Sequence, residues 1–449
     1  MRYPPYCTDG GAWGKMCKET KDTTPLPTYG WEEIKKHATK SDRWLVIDGC
    51  VYDVTRWAKR HPGGERLIAH HAGQDATDAW VAFHKDHKAV GKYLKPMMIG
   101  VLKEGEAKEN ELIKDWRDLR SKAEDVGYFR ASPIFFSLIL LHIIALEVAA
   151  WFLLYTFGVS WLTLLAASIL LVTAQAQAGW AQHDYGHLSV FNSSRWNHIT
   201  HIFTINFLKG ASSSWWNYRH YQHHAKPNRM SKDPDIRMDK LFVLGKVQPV
   251  EWGQKKKKGF FGLKFNFQHE YFFFIMPPLL MPLYFNYEIP YFLISRKLWN
   301  ELFWMGSFFV RYCIMFHHFL GIWGSLCLYL WVRFLESHWF VWTTQMSHLP
   351  MDISHDQDED WVTMQLKATC NVDPSFFNNW FSGHLNFQIE HHLFPTMPRH
   401  NLAKVAPLVR SLCKKHGIEY QSKSLLTAFS DIVGSLKDSG EMWVEAYNM

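Results

Sequence analysis

Four long apolar runs separate polar stretches between residues 134 and 331. Residues 134–157 and about 161–180 are joined by a short turn, and each approaches the ~20 apolar residues that cross a bilayer as a helix. Two further apolar runs, residues 271–293 and 303–331, are also long enough to cross a bilayer. Prolines interrupt the first of these, but a membrane helix tolerates them because neighbouring helices satisfy the backbone groups that a proline frees. The pattern predicts an all-α membrane unit with about four transmembrane helices.

The residues before these runs show a different pattern, in which short apolar stretches alternate with turn residues. Residues 44–47 and 51–54 predict two strands around the turn Asp48-Gly49, and residues 31–36 predict a short helix. The polar, charged residues that follow this unit are typical of a linker. The predicted organisation is a tail at 1–27, an α+β unit at 28–103, a linker with a pre-membrane helix at 104–130 and the membrane unit at 131–445.

The distribution of basic residues predicts how the chain lies in the membrane. Fourteen Lys and Arg residues lie between His183 and Phe265, whereas the turn between the first two runs has none. Basic loops favour the cytosolic side, so this segment, the N-terminal unit and the C-terminal part are all expected there. The net charge of +7 is modest and accompanies no nucleic-acid module, so a nucleic-acid partner is not expected.

Seven cysteines are scattered along the chain without a C-x-x-C pair. This spacing argues against a cysteine metal site and against a disulfide framework, and it fits a reducing compartment. The first 25 residues have no apolar core, so no cleaved signal peptide is expected.

The α+β unit contains the turn His61-Pro62-Gly63-Gly64, and a second histidine, His84, follows Phe83. Proline and two glycines form a tight turn without bulky side chains, which lets a flat ligand approach the backbone. His87 is an alternative to His84. These motifs, with residues 72–77, resemble the cytochrome b5 domain. The resemblance implies that His61 and His84 are the axial ligands of a b-type haem, which carries single electrons because no iron position stays open.

The membrane unit carries three histidine clusters. If helical, each of the first two clusters places its imidazoles on one helix face. So many nitrogen ligands suit two metal ions, and a haem unit in the same chain favours iron, since zinc cannot use electrons. The clustered residues are His183 and His187, then His220, His223 and His224, then His391 and His392, with His348 as a possible eighth.

The three clusters read H-x-x-x-H, H-x-x-H-H and Q-x-x-H-H, and they resemble the boxes of membrane fatty acyl desaturases. Gln388 in the third box, together with the b5-like unit, resembles the front-end group and specifically the animal Δ5/Δ6 enzymes. The resemblance implies that the seven box histidines bind iron and carry catalysis, and that His348 is a further ligand. Gln388 is a weaker, neutral candidate ligand.

The resemblance also implies a fold, a membrane location, cofactors and partners. The fold is expected to be a cytochrome b5-like α+β domain followed by an all-α desaturase domain with a cytosolic helical cap, in the endoplasmic reticulum membrane. Expected cofactors are haem b and two non-haem irons, with O2 as cosubstrate and electrons from NADH through cytochrome b5 reductase. Expected partners are a polyunsaturated fatty acyl-CoA, this reductase and membrane lipid.

Other interpretations of the same motifs are an acyl or sphingolipid hydroxylase, and a membrane haem electron carrier without enzymatic activity. Asp184 and Glu390 are candidate partners that orient the imidazoles, although salt-bridged surface positions fit equally well. Ionisable residues inside the predicted spans include Glu147, Arg311, His317 and His318. For these residues, structural pairing or a position near the membrane interface is favoured over catalysis.

Overall fold

The N-terminal unit is built on a five-stranded sheet. The computed structural model describes residues 26–449, so most of the predicted tail lies outside the described residues. The strands are β1 (Thr28–Tyr29), β2 (Ala38–Thr39), β3 (Asp42–Ile47), β4 (Cys50–Asp53) and β5 (Met98–Leu102). Their order is β1-β5-β4-β3-β2, with β1 parallel to β5 and the other pairs antiparallel.

The two predicted strands around Asp48-Gly49 are β3 and β4, and Gly49 has a positive φ of 72° that suits a tight turn. Four helices complete the unit between β1 and β5. They are α1 (Trp31–Ile34), α2 (Glu65–His71), α3 (Thr77–Phe83) and α4 (His87–Leu94).

The rest of the described chain is helical apart from β6 (Asn371–Val372) and β7 (Ser422–Lys423), which pair in parallel. Two π-helical segments, Ile202–Leu208 and Tyr284–Glu288, interrupt the α-helices. The helices are α5 (Glu111–Asp125), α6 (Pro133–Phe157), α7 (Trp161–Gly186), α8 (Ser194–His201), α9 (Ser213–Ala225), α10 (Val247–Gln254), α11 (Gln268–Leu283), α12 (Ile289–Ser295), α13 (Trp299–Gln345), α14 (Trp361–Lys367), α15 (Phe376–Phe381), α16 (Gln388–Leu393), α17 (Leu402–Lys415) and α18 (Leu425–Asn448).

Three helices of the described chain, α6, α7 and α13, are long and apolar enough to cross a membrane. The longest, α13, is not straight, because Gly321 has φ 65° and ψ −179°. The ring centroids of Phe308 and Tyr329 are only 6.1 Å apart. In a straight helix, residues separated by that many positions would lie roughly 30 Å apart. Helix α13 therefore folds back at Gly321 into two antiparallel arms.

This reversal corrects the predicted spans. The predicted fourth span, residues 303–331, contains the turn at Gly321 and so belongs to both arms of α13. The predicted third span, residues 271–293, lies within the unbroken helical stretch 268–295, in which a π-helical segment joins α11 to α12. Hydropathy alone misplaced the bounds of the fourth span because an apolar hairpin and an apolar span have the same composition. The first two spans match α6 and most of α7.

The two helical hairpins turn at the same end of the bundle. Gly158 ends α6 and Gly321 divides α13, and the ring centroids of Trp151 and Phe319 near these turns are 6.0 Å apart. The second arm of α13 and helix α7 both run away from the turns, and α7 ends in the first histidine cluster. The histidine clusters therefore lie at the opposite end from both turns.

The N-terminal unit docks on this histidine end through charged and polar contacts. Arg117 Nε of α5 donates to Asp78 Oδ1 of α3 at 2.8 Å. Lys226, which follows α9, donates from Nζ to Gln74 Oε1 at 2.8 Å, and it is itself buried. These contacts fix the N-terminal unit beside the helices that carry the clustered histidines.

Candidate metal centres

The first two histidine clusters lie at the C-terminal ends of two helices. His183 is in the last turn of α7, and His187 caps its C-terminus. Helix α9 begins at an N-cap, Ser212, whose hydroxyl accepts a hydrogen bond from the Trp215 backbone N–H at 3.0 Å. Its last two turns present His220, His223 and His224. The i, i+3, i+4 spacing directs these imidazoles to one side of the helix.

One group of five imidazoles has its candidate ligand atoms all within 4.8 Å of one another. Three Nε2–Nε2 distances illustrate the convergence. His220 lies 2.9 Å from His187, and His224 lies 3.0 Å from both His220 and His391. Four of the five residues are buried and His220 is half-buried. The group consists of His183, His187, His220, His224 and His391.

A second group joins His223, His348 and His392, all buried, within the same 4.8 Å limit. His223 Nε2 lies 3.3 Å from His348 Nε2. The Gln388 side-chain amide lies 2.7 Å from His348 Nε2, and its Oε1 is buried without a hydrogen-bond partner. The structure thus brings the eighth predicted histidine and the predicted glutamine together with two box histidines.

The imidazoles of the second group are held from behind by acceptors at Nδ1. His223 Nδ1 lies 2.8 Å from Asp233 Oδ2, and His392 Nδ1 lies 2.8 Å from Gln365 Oε1. His348 Nδ1 lies 3.0 Å from a backbone carbonyl oxygen, that of Ala368. An acceptor at Nδ1 places the proton there, so each Nε2 presents its lone pair to the centre of the group.

Electrostatics also keep most of these imidazoles in the form that binds metals. Burial lowers the pKa of His187 and of His348 to about 3 in each case. Burial and the neighbouring imidazole of His183 lower the pKa of His220 well below its ordinary value. His223 differs, because the Asp233 carboxylate outweighs burial and raises its pKa. That carboxylate favours positive charge on His223, whether from a proton or from a metal ion.

The donor set fits two metal ions of the imidazole-binding kind. The groups contain nitrogen donors and one amide, without thiolates, and such sites suit iron, copper, nickel or zinc. His183 Nε2 and His392 Nε2 are buried without a hydrogen-bond partner, and bonds to metal ions would satisfy both. A third group joins His223 to Asp233 and Asp235, but its carboxylates face Nδ1 and so serve to orient that ring.

In the N-terminal unit, His61 and His84 face each other with ring centroids 6.3 Å apart. Two imidazoles bound on opposite sides of one metal ion, with bonds of about 2 Å, would place their rings roughly 6 Å apart. His84 Nδ1 donates to the Trp80 carbonyl at 2.9 Å, which leaves its Nε2 for a metal. His87 instead directs Nε2 toward the Val81 carbonyl, 3.2 Å away, so the geometry favours His84.

Asp184 and Glu390, the predicted orienting partners, bind other groups. Glu390 accepts hydrogen bonds from Asn371 Nδ2 at 2.7 Å and from Tyr420 Oη at 2.8 Å. Asp184 Oδ1 accepts the backbone N–H of Arg399 at 2.9 Å. Asp184 also forms the salt bridge that the alternative interpretation includes, with Arg399 Nε 3.5 Å from Asp184 Oδ2, but both carboxylates are buried rather than at the surface. They fix the loops around the third box rather than the imidazole rings.

The orienting residues that sequence reasoning missed are Asp233 and Gln365. Asp233 belongs to a loop after α9, and Gln365 lies on α14, outside every histidine motif. No sequence motif connects either residue with the histidines. Inside the membrane helices, Glu147 and Arg311 form an ion pair at 2.5 Å, which matches the expected structural pairing.

The structure thus combines a small α+β unit, which carries two facing imidazoles, with membrane-length helices and two groups of clustered imidazoles that could hold metal ions. Comparison with known proteins agrees. The family model "Fatty acid desaturase" matches residues 159–424, and the model "Cytochrome b5-like Heme/Steroid binding domain" matches residues 30–103. The chain belongs to the fatty acid desaturase family and carries a cytochrome b5-like domain.

Among solved structures, the chain is similar to cytochrome b5 of Ostreococcus tauri virus 2. The sequence identity is 38%, over 17% of this chain and 95% of that chain, with a TM-score of 0.16. The two family matches imply a haem, iron, O2, a fatty acyl substrate and a membrane setting. The enzyme is thus an oxidoreductase of fatty acyl chains.

Proposed function

We propose that this chain is a front-end fatty acyl-CoA desaturase that introduces a cis double bond, at Δ5 or Δ6 or both, into polyunsaturated acyl chains. The observation that carries the proposal is Gln388, whose amide lies among the imidazoles of the second group at 2.7 Å from His348 Nε2. Gln388, the residue on which the resemblance to front-end desaturases depends, therefore lies beside the second histidine group rather than on the surface. Residues 28–103 are proposed as the haem domain and residues 131–445 as the desaturase domain.

The residues divide into two proposed iron sites. His183, His187, His220, His224 and His391 would hold one iron, and His223, His348 and His392 with Gln388 would hold the other. Bound iron supplies the oxidising power with which O2 removes two hydrogens from neighbouring carbons and is itself reduced to water. Because an unactivated C–H bond offers no handle for acid–base chemistry, the side chains contribute ligation and positioning rather than proton transfer to carbon.

The protein's own contribution is to fix those ligands and exclude water. The acceptors Asp233 and Gln365 hold two rings of the second group, and burial favours the neutral form of most of the imidazoles. His61 and His84 would hold a haem b that receives electrons from NADH through a cytochrome b5 reductase. The charged contacts around Asp78 and Gln74 support electron delivery within one chain, since they hold the haem unit beside the clusters.

We further propose the endoplasmic reticulum membrane, with the haem domain and the histidine clusters on the cytosolic side. The support is the basic segment between His183 and Phe265, which belongs to the histidine end of the bundle, opposite the turns at Gly158 and Gly321.

The proposal is tested by expression in yeast fed separately with 18-carbon and 20-carbon polyunsaturated acids, followed by mass spectrometry of the double-bond position. A new double bond between an existing one and the carboxyl end is expected. The variants His61→Ala and His391→Ala should give no product, whereas His87→Ala should retain haem and activity. A hydroxylated product would contradict desaturation, and full activity of a haem-free His61→Ala protein would contradict in-chain electron delivery.

A further inference from the structure

Phe83 lies where the cytochrome b5-like unit meets the first histidine group. Its ring centroid is 6.2 Å from that of His224, and the planes are perpendicular at 90°. The next residue along the chain is His84, one of the two facing imidazoles. Phe83 therefore adjoins a proposed haem ligand along the chain, and its ring packs against a proposed iron ligand.

Two further rings hold Phe83 in this position. The ring centroids of Tyr221 and Trp361 each lie 6.3 Å from that of Phe83, in edge-on geometry. Both partners are anchored to the metal-binding helices. The Tyr221 hydroxyl donates to the Gly186 carbonyl at 2.5 Å, and the Trp361 indole N–H donates to the His224 carbonyl at 3.3 Å. The ring of Phe83 is thus confined by two aromatic side chains that are hydrogen-bonded to the helices of the first histidine group.

The helix that carries Phe83 is fixed at both ends. Near its start, Asp78 accepts from Arg117 at 2.8 Å, and this carboxylate is buried. Near its end, the Thr396 hydroxyl reaches the Ala82 carbonyl at 3.5 Å, which links α3 to the loop after α16. The contact between Phe83 and His224 therefore belongs to an interface that hydrogen bonds fix on both sides of Phe83.

We propose that Phe83 is a positioning residue for electron transfer, which provides the packed contact between His84 and His224 across which each electron passes. In this step one electron leaves a ferrous haem and reduces one ferric non-haem iron. No bond forms or breaks, no proton moves, and Phe83 is neither oxidised nor reduced. This inference rests on the proposed function and adds a specific route for its electron.

The test uses the purified full-length holoenzyme and stopped-flow absorbance of the haem. The haem is reduced with NADH and cytochrome b5 reductase, and its reoxidation is followed after mixing with acyl-CoA and O2. Phe83→Tyr keeps the ring and should reoxidise at nearly the wild-type rate. Phe83→Leu should be slower, and Phe83→Ala slower still by several-fold or more, with unchanged haem content, haem spectrum and rate of haem reduction.

Two controls make the outcome specific. Trp57, also half-buried, stacks on Tyr93 at 5.3 Å within the same unit, so Trp57→Leu should leave reoxidation unchanged. His391→Ala gives the background oxidation of haem by O2 alone. If Phe83→Ala fails to retain haem, the reoxidation rates of Phe83→Leu and Phe83→Tyr are compared instead, and a slower rate in Phe83→Leu supports the role of Phe83.

Equal reoxidation rates in the Phe, Tyr, Leu and Ala proteins, each with full haem and iron, would overturn the role of Phe83. Failure of the wild-type protein to reoxidise its haem faster than His391→Ala would instead count against the proposed function. The two failures are therefore distinguishable.

Discussion

Three acceptors of different chemistry fix the rings of the second histidine group: a carboxylate, a side-chain amide and a backbone carbonyl. Only the carboxylate, Asp233, also adds charge, and it raises the pKa of His223 against the effect of burial. A metal ion that replaces the proton would gain the same electrostatic support.

Asp233 is therefore expected to set metal affinity. Asp233→Ala should weaken iron binding at the second group by about 10–100-fold, because it removes both the ring anchor and the charge. Asp235 offers a matched control, since its carboxylate lies 4.0 Å from the same Nδ1 but is more exposed. Iron content after dialysis against a graded chelator measures the effect. Equal iron loss from Asp233→Ala and Asp235→Ala would contradict the assignment.

A functional residue could be predicted from the sequence when it belongs to a short motif with regular spacing. Short motifs with regular spacing made it possible to predict the box histidines, His84 and Gln388 from the sequence. Asp233 and Gln365 could not, since each reaches its imidazole through a fold-dependent contact that leaves no spacing in the chain.

At the scale of elements, the turn within α13 depends on one glycine. Gly321 combines φ 65° with an extended ψ, a conformation that residues with a Cβ adopt only at a cost. The sequence did not reveal this turn, because a glycine inside an apolar run leaves hydropathy continuous. The early hairpin was predictable, since polar and turn residues mark its ends.

Gly321→Ala is expected to destabilise the membrane hairpin by about 1–3 kcal/mol. Gly306 on the first arm is a matched control, because a Cβ at either glycine meets nothing within 4 Å and only Gly321 has a positive φ. Gly306→Ala should be neutral or slightly stabilising. Thermal denaturation in detergent, monitored by size-exclusion chromatography, compares the two. A fall in Tm for both variants alike would show that space rather than backbone conformation is limiting.

Helix α2 contributes a pH-dependent element to the domain interface. Burial, together with the cations Lys232, Lys226 and Arg237, lowers the pKa of His70 to about 4, although a hydrogen bond with Gln222 opposes the shift. The folded pKa is depressed, so this stabilisation is complete above the ordinary value of about 6.5 and is lost as pH falls toward 4.

We therefore expect the Tm of the full-length protein to fall between pH 7 and pH 5. His70→Gln should reduce this dependence, since glutamine does not titrate, whereas substitution of the exposed His355 should not. Differential scanning fluorimetry across the pH series checks the prediction. An unchanged pH profile in His70→Gln would exclude His70 as a source of the effect.

At the scale of the whole molecule, the two hairpin turns lie opposite all the clustered histidines. The clusters lie at one end of the bundle although the bounds of the fourth predicted span are wrong, because a hairpin returns the chain to the end from which it started. The domain interface itself was not predictable from sequence, since contacts such as Lys226 with Gln74 join distant parts of the chain.

Topology is testable with glycosylation acceptors. An Asn-Gly-Thr acceptor with a flexible spacer, inserted at residues 158–160, should be modified in endoplasmic reticulum membranes. The same insert within the lysine run at 255–258 should stay unmodified, because that segment is expected in the cytosol. A shift in electrophoretic mobility that endoglycosidase reverses reports modification. Modification at the lysine run alone would invert the proposed orientation.

We propose that one chain unites a haem with a two-iron centre built from eight histidines and Gln388. Metal analysis of the purified full-length protein tests this composition, with haem determined by its absorbance spectrum and total iron by mass spectrometry. We expect two non-haem irons for each haem in the wild-type protein, and loss of non-haem iron with retention of haem in His391→Ala. Full haem without stoichiometric non-haem iron in the wild-type protein would exclude the two-iron centre and favour a simple electron carrier.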